Sequence, residues 1–298
     1  MPAVFKGSKM TFGIRNQRLN PDLIGTVSFG FAVLLMFIFG CSEQTQTIKA
    51  LSFKNFPVLE YHLIDRPESR WTRTPENFKK DLEWLYEHKY YPMNLRDMLT
   101  NFNDLPEGKI PVVLTFDDSS SSQFRYLPDG RIDPDCAVDI IKIFHEKHRG
   151  DWPMRATFFI VIGTNNPDRN LFGQPEYREK KLRQLTAWGM EVASHTYWHD
   201  RLSDISEKQA RYSLARSYQT LKELSGQEII SLALPMGLYP SDESIFSGQY
   251  QKIKYDFKLA AEVAGGLQPS PSSPKFDPHH IRRIQTIDSE WKKFFGRI

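Results

Sequence analysis

The feature that most constrains the fold is an alternation of short apolar runs with stretches of helical periodicity. Ile110–Phe116 and Ala156–Ile162 are rich in β-branched and aromatic residues and have the length of buried strands. After Thr74 and Pro75, which favour a helix start, apolar residues follow at helical spacing, and Asp288–Phe295 is a second such stretch. This alternation predicts a mostly parallel sheet with helices packed against it.

About seven strand–helix units follow one another, so we expect an α/β fold with a closed or nearly closed barrel. The Pro- and Ser-rich stretch Gln268–Pro278 is interpreted as a loop, because too little chain follows it to form another domain. We therefore expect one domain over residues 51–298. The net charge of +3 gives no reason to expect a nucleic-acid partner, and none is predicted.

The first forty residues predict export. Leu23–Cys41 carries no charge, and four basic residues precede it. The end of the run resembles a bacterial lipoprotein signal in which Cys41 is lipidated; the alternative is an uncleaved membrane anchor over residues 1–41. Residues 42–50 are interpreted as a polar tether. Both alternatives predict a protein anchored to a membrane on its extracytoplasmic side.

The strand Ile110–Phe116 is followed directly by Asp117 and Asp118. In parallel α/β folds, the carboxyl ends of the strands carry the active site. Two adjacent carboxylates after such an apolar strand repel one another and need a cation or hydrogen bonds. The alternative is a solvated strand end with an Asx turn.

His195 and His199 follow a second short apolar run, Glu191–Ser194. Their i, i+4 spacing would place both rings on one face if the segment formed a helical turn, a spacing that suits a divalent metal. Together with a carboxylate they would supply three ligands and leave positions open for water and substrate, which is typical of a catalytic site.

These residues give the chain a resemblance to the polysaccharide deacetylase family, the chitooligosaccharide deacetylase homology domain. The resemblance covers roughly residues 56–287. The matching motifs are Thr115-Phe116-Asp117-Asp118, Ala156-Thr157-Phe158-Phe159, Ser194-His195-Thr196 through His199 and Leu202, and Pro235 with Gly237.

The resemblance implies a distorted (β/α) barrel of about seven strands that binds one divalent metal ion, usually Zn²⁺. By position, Asp118, His195 and His199 would be the metal ligands, and Asp117 would be the catalytic base. A backbone N–H at Met236 would hold the developing oxyanion.

The chain also departs from the family pattern. Ser119 stands where a glycine is common, and Ala233 stands where an arginine often orients the base. We expect Arg283 to take over that orienting role. A clear general-acid histidine is missing, and His280 is the candidate. His62, Trp198 and Tyr239 are candidates for substrate binding.

The expected function is metal-dependent removal of N-acetyl groups from an acetylated amino-sugar polysaccharide of the cell envelope or extracellular matrix. One alternative is an O-acetyl esterase or a non-sugar amidase, because the same activated water attacks both kinds of acyl carbon. The other is an inactive carbohydrate-binding lipoprotein that keeps the barrel.

Overall fold

Seven parallel strands form a closed barrel. The computed structural model describes residues 53–296, so the predictions for residues 1–41, 42–50 and Cys41 lie outside the described residues. The sheet has eight strands, seven in the ring and β2 outside it: β1 (Val58–Tyr61), β2 (Tyr90–Met93), β3 (Ile110–Phe116), β4 (Thr157–Ile160), β5 (Glu191–Ser194), β6 (Ser231–Ala233), β7 (Leu259–Gly265) and β8 (Ile281–Gln285). β1 pairs with both β3 and β8, which closes the ring, and β2 pairs with the first half of β3 beside it. The predicted seven-stranded barrel is confirmed.

The helices cover the outside of the barrel. They are α1 (Pro75–Glu87), α2 (Ala137–Lys147), α3 (Arg178–Ala187), α4 (Glu207–Ser225) and α5 (Asp288–Phe295). The Thr74 side chain caps α1 by accepting a hydrogen bond from the Asn77 amide, as its position before a proline predicts. α4 begins with a capping box between Ser206 and Gln209 and ends at Gly226, whose φ is 72°. Among residues 53–296, no helix is both long and apolar enough to cross a membrane.

The connections contain short elements that make the barrel irregular. Between β6 and β7, 3₁₀ turns and an antiparallel hairpin stand where a regular barrel would have a helix. The short strands are Asn55–Phe56, Leu63–Ile64, Thr72–Arg73, Ser247–Tyr250, Ile253–Asp256 and Gln268–Pro269. The 3₁₀ helices are Leu95–Thr100, Pro167–Arg169, Leu171–Gly173, Pro175–Tyr177, Pro235–Gly237 and Glu243–Phe246.

The barrel interior changes character along the strands. Its apolar part, called here the lower layer, consists of Val58, Val113, Phe159, Ala193, Ala233, Leu259 and Ile281. Since side chains two residues apart lie on the same face of a strand, the next interior positions toward the carboxyl ends of β1, β3, β5 and β8 are polar. These positions, the upper layer, are Glu60, Thr115, Asp117, His195 and Arg283, all of them buried. The strands therefore place the candidate metal-binding and catalytic residues at the carboxyl-end opening of the barrel.

Candidate metal centre

The two aspartates after β3 face the same point because the backbone turns there. In an extended chain, neighbouring side chains point to opposite faces. Asp118 has a φ of 73° and Ser119 a φ of 42°, both in the left-handed region that ends the alternation. As a result, Asp117 Oδ2 lies 3.8 Å and Asp118 Oδ1 lies 3.7 Å from the same atom, His195 Nε2.

The two histidines come together without a helix. The segment after β5 has no helical turn, so the expected helical face is corrected; Thr196 and His199 have φ values of 61° and 62° instead. Their ring centroids are 4.9 Å apart. The loop is held by the Thr196 hydroxyl, which accepts from the Asp200 amide, and by Ser194, whose hydroxyl accepts from the Thr196 amide.

Asp118, His195 and His199 form a donor set that fits one divalent ion. Asp118 Oδ1 lies 3.3 Å from His199 Nε2, and the potential ligand atoms of all three residues lie within 4.8 Å of one another. This carboxylate oxygen is buried and accepts no hydrogen bond from the described chain, an arrangement that a cation would relieve.

The protonation of the histidines suits the same ion. His195 Nδ1 lies 2.9 Å from the Ala233 carbonyl oxygen. Since that oxygen can only accept, Nδ1 donates the hydrogen bond, and Nε2 is the ring nitrogen available to a metal ion. Burial and the nearby His195 lower the pKa of His199 to about 4, so this ring is neutral at pH 7.

Arg283 holds Asp117 through a bidentate ion pair. Its Nη1 and Nη2 atoms lie 2.7 and 2.8 Å from the two carboxylate oxygens, and Nη1 also donates to Thr115 at 3.1 Å. Burial by itself would raise the pKa of the Asp117 carboxyl, but Arg283 and His195 outweigh it and hold this pKa well below its usual range. The contact expected of Arg283 is thus present, and its effect on the reaction stays a prediction.

Glu60 is a member of this cluster that the sequence analysis missed. Its Oε1 lies 3.4 Å from Arg283 Nη2 and 3.9 Å from His62 Nε2. Burial, only partly opposed by Arg283, raises the pKa of Glu60 to about 8. The available signal was a single glutamate inside an apolar strand, two residues before His62 and therefore on the same face.

A cavity of about 360 Å³ opens above the cluster. Its wall includes both aspartates, both histidines and, of the predicted substrate residues, His62. The remaining lining residues are Leu63, Arg70, Trp71, Arg169, Met236 and Val263. Met236 lines the cavity with a φ of 60°, at the turn where an oxyanion donor was predicted.

Three other candidates lie elsewhere. His280 is not among the residues that line the cavity, which argues against its predicted role as the acid: its ring nitrogens lie 3.1 Å from Glu262 and 3.2 Å from Glu243. Tyr239 stacks on His280 at 4.5 Å and is also absent from the lining. Trp198 is half exposed and packs against Tyr197 and Tyr212 outside the cavity.

The chain is similar to known polysaccharide deacetylases. The family model described as polysaccharide deacetylase matches residues 104–247, which include Asp117, Asp118, His195 and His199. The Bacillus subtilis protein YxkH is 22% identical over 224 residues, 74% of this chain and 69% of its own length.

Two solved structures show the same fold. IcaB from Ammonifex degensii has a TM-score of 0.58 at 20% identity, covering 81% of this chain and 95% of its own. The Streptococcus pyogenes deacetylase PplD, solved with acetate, has a TM-score of 0.55 at 20% identity, covering 78% of this chain and 92% of its own.

Proposed function

Because the chain belongs to the polysaccharide deacetylase family, we propose that it is a metal-dependent hydrolase that removes N-acetyl groups from an amino-sugar polymer of the cell envelope or extracellular matrix. One observation carries the proposal most strongly. The buried oxygen Asp118 Oδ1, which lacks a hydrogen bond in the described chain, faces two histidine Nε2 atoms beside the ionised Asp117.

Asp118, His195 and His199 would hold the ion, with Zn²⁺ the expected metal. When bound, such an ion acidifies water and polarises an acyl carbonyl group. Three protein ligands are the number typical of catalytic zinc sites, since they leave room for water and substrate.

Asp117 is the proposed general base, which takes the proton of the attacking water. Arg283 keeps it ionised and fixes the direction of both oxygens. An ionised carboxylate is ready to accept a proton, and a fixed one does so without reorganisation.

The leaving amine needs a proton, and His62 is the proposed acid. Burial lowers the pKa of its ring, so His62 would first take up a proton during the reaction and then pass it to the amine. Among the described residues, it is the cavity-lining histidine outside the ligand set. Its ring packs against Trp71 at 4.7 Å, which holds it at the wall of the cavity. The Met236 amide remains the proposed donor to the developing oxyanion.

The test is acetate release from a panel of N-acetylglucosamine polymers, peptidoglycan included, after chelation and after adding back Zn²⁺. We expect release from at least one polymer, loss of release on chelation and recovery with Zn²⁺. A parallel set of O-acetylated sugars separates amidase from esterase activity. Release from ester-linked substrates alone, or equal release without metal, would contradict the proposal.

We also propose that the protein is exported and anchored through Cys41 on the extracytoplasmic side of a membrane. The support is the charge and apolar pattern of residues 1–41. Labelling cells with a radioactive fatty acid tests the proposal. The label should enter the wild-type protein and be absent from Cys41→Ser, whereas membrane retention of an unlabelled protein would favour the uncleaved anchor.

A further inference from the structure

Two arginines share the catalytic cavity with the candidate metal ligands. Arg70 and Arg169 come from different loops and both line the cavity. Arg70 lies over the Trp71 ring at 4.7 Å, and no carboxylate of residues 53–296 forms an ion pair with it. With Asp117 already paired to Arg283 and a divalent ion to be added at Asp118, the cavity has an excess of positive charge.

The loop that carries Arg169 is tied to the turn that carries the aspartates. Ser119 Oγ donates to the Arg169 carbonyl oxygen at 2.5 Å, and the Phe172 amide donates to the Ser119 carbonyl oxygen at 2.9 Å. Ser120 Oγ donates to Asp168 Oδ2 at 2.9 Å. The serines that follow the two aspartates therefore fix the position of the loop that carries Arg169.

Arg169 forms its ion pair with Asp118 through Oδ2 and leaves Oδ1, the oxygen that faces the histidines, free for a metal ion. Its Nη1 lies 3.3 Å from Asp118 Oδ2, whereas Oδ1 of the same carboxylate faces the histidines. A guanidinium has five N–H donors in a planar fork, so the contact with Asp118 leaves donors for a ligand. Carboxylates and phosphates match that fork best.

From these contacts we propose that the sugar unit in the cavity, or its direct neighbour, carries an anionic group, a carboxylate or a phosphate ester, that Arg169 and Arg70 bind. This inference rests on the proposed deacetylase function and names its substrate class. Trp71, which is 40% exposed, lines the same cavity and offers aromatic surface to the sugar ring. The deacetylated product carries an ammonium group, which the same arginines disfavour.

The test uses three matched tetramers with the metal-loaded protein. The first is neutral tetra-N-acetylglucosamine, the second is the same tetramer oxidised to carboxylates at C6, and the third is phosphorylated at C6. We expect kcat/KM to be about tenfold higher for an anionic tetramer, with a preference that weakens as salt is added. The preferred tetramer distinguishes carboxylate from phosphate.

Arg169→Gln and Arg70→Gln should each reduce this preference severalfold, mainly through KM, and Arg169→Lys should retain part of it. Arg131→Gln is the matched control, because Arg131 is exposed and pairs with Asp129 away from the cavity lining. Equal kcat/KM for all three tetramers, or an equal loss on neutral and anionic tetramers in both variants, would overturn the inference.

Calorimetric binding to the same metal-loaded protein separates this inference from the proposed function. If no tetramer is deacetylated, the proposed function fails for these substrates, but tighter binding of an anionic tetramer still supports the arginine site. Equal affinity for neutral and anionic tetramers would overturn it independently of turnover.

Discussion

The lower and upper layers of the barrel interior are built by the same strands and differ in what they require. Glu60 lies two positions after Val58 on β1, and Arg283 lies two positions after Ile281 on β8. The lower layer is apolar and depends on volume, which neighbouring side chains can partly adjust. The upper layer is polar and buried, so each member needs a hydrogen-bond or charge partner. Substitutions in the two layers should therefore differ in their effects on stability and on activity.

The largest expected effect is the loss of activity in Asp117→Asn. An amide cannot accept the proton of the attacking water, so kcat should fall by about 10²–10⁴. The metal ligands are unchanged, and measured metal content should therefore stay near one ion per chain. His195→Ala is the contrasting variant, because it removes a ligand and should lose the metal. An active Asp117→Asn protein would contradict the assignment of the base.

Arg283→Met tests whether the charges of the upper layer depend on one another. Removing one partner of a buried pair costs about 3–5 kcal/mol, and denaturant unfolding should show a loss of that size. Without Arg283, the pKa of Asp117 rises, so the ionised base is lost at a higher pH. The acidic limb of the pH–activity profile should move upward, and Arg283→Lys should restore part of both losses. An unchanged profile would argue against a base-orienting role.

Leu259→Ala is the corresponding change in the lower layer. Leu259 is fully buried, and the cavity left by such a truncation costs about 2–5 kcal/mol. Because this layer holds no reacting group, kcat/KM measured well below the melting temperature should stay close to that of the wild type. Leu99→Ala, at a position that is 46% exposed, is the control and should change stability little. A large fall in kcat/KM would show that the layers are coupled.

The remaining expected effect concerns Glu60 and the pH dependence of stability. Burial raises its pKa from 4.5 to about 8, so the folded protein keeps this proton while the unfolded chain releases it. Stability from this group is fully present below pH 4.5 and declines as pH rises toward about 8. The glutamine in Glu60→Gln cannot titrate. The melting temperature of this variant should therefore rise relative to that of the wild type as pH increases from 5 to 8.

A difference in melting temperature of about 2–4 °C is expected for each kcal/mol of this linkage. The exposed Glu107→Gln variant provides the control and should show a pH-independent difference from the wild type. If the Glu60→Gln difference were also constant with pH, Glu60 would be ionised in the fold and would act as a second counterion of Arg283.

The candidate ligands could be predicted because local composition marked them. Two carboxylates after an apolar strand, and two histidines after another, are unusual without a cation. The geometry that joins them was not predictable in the same way. Asp118, Thr196 and His199 have left-handed backbone, and the hydroxyls of Ser194 and Thr196 hold the histidine loop by hydrogen bonds that no periodicity in the sequence expresses.

The assignment of the general acid shows the same limit of prediction from local sequence. His280 was chosen for its place late in the chain, but Glu243 and Glu262 hold its ring outside the cavity lining. Glu60 was overlooked because a single glutamate in a short strand has no distinctive spacing. Its environment became clear only with Arg283, 223 residues away, as its neighbour.

The sequence by itself determined the alternation of strands and helices, the caps of α1 and α4, and the residue types at the ends of β3 and β5. These are local properties, set by spacing along a few turns or strand residues. The tertiary structure decided which distant residues share the barrel interior, since Arg283 meets Asp117 across 166 residues only when β8, β1 and β3 pair in one register. Ring closure, with each strand's register set by its neighbours, is the physical reason that the upper layer forms a single charged cluster.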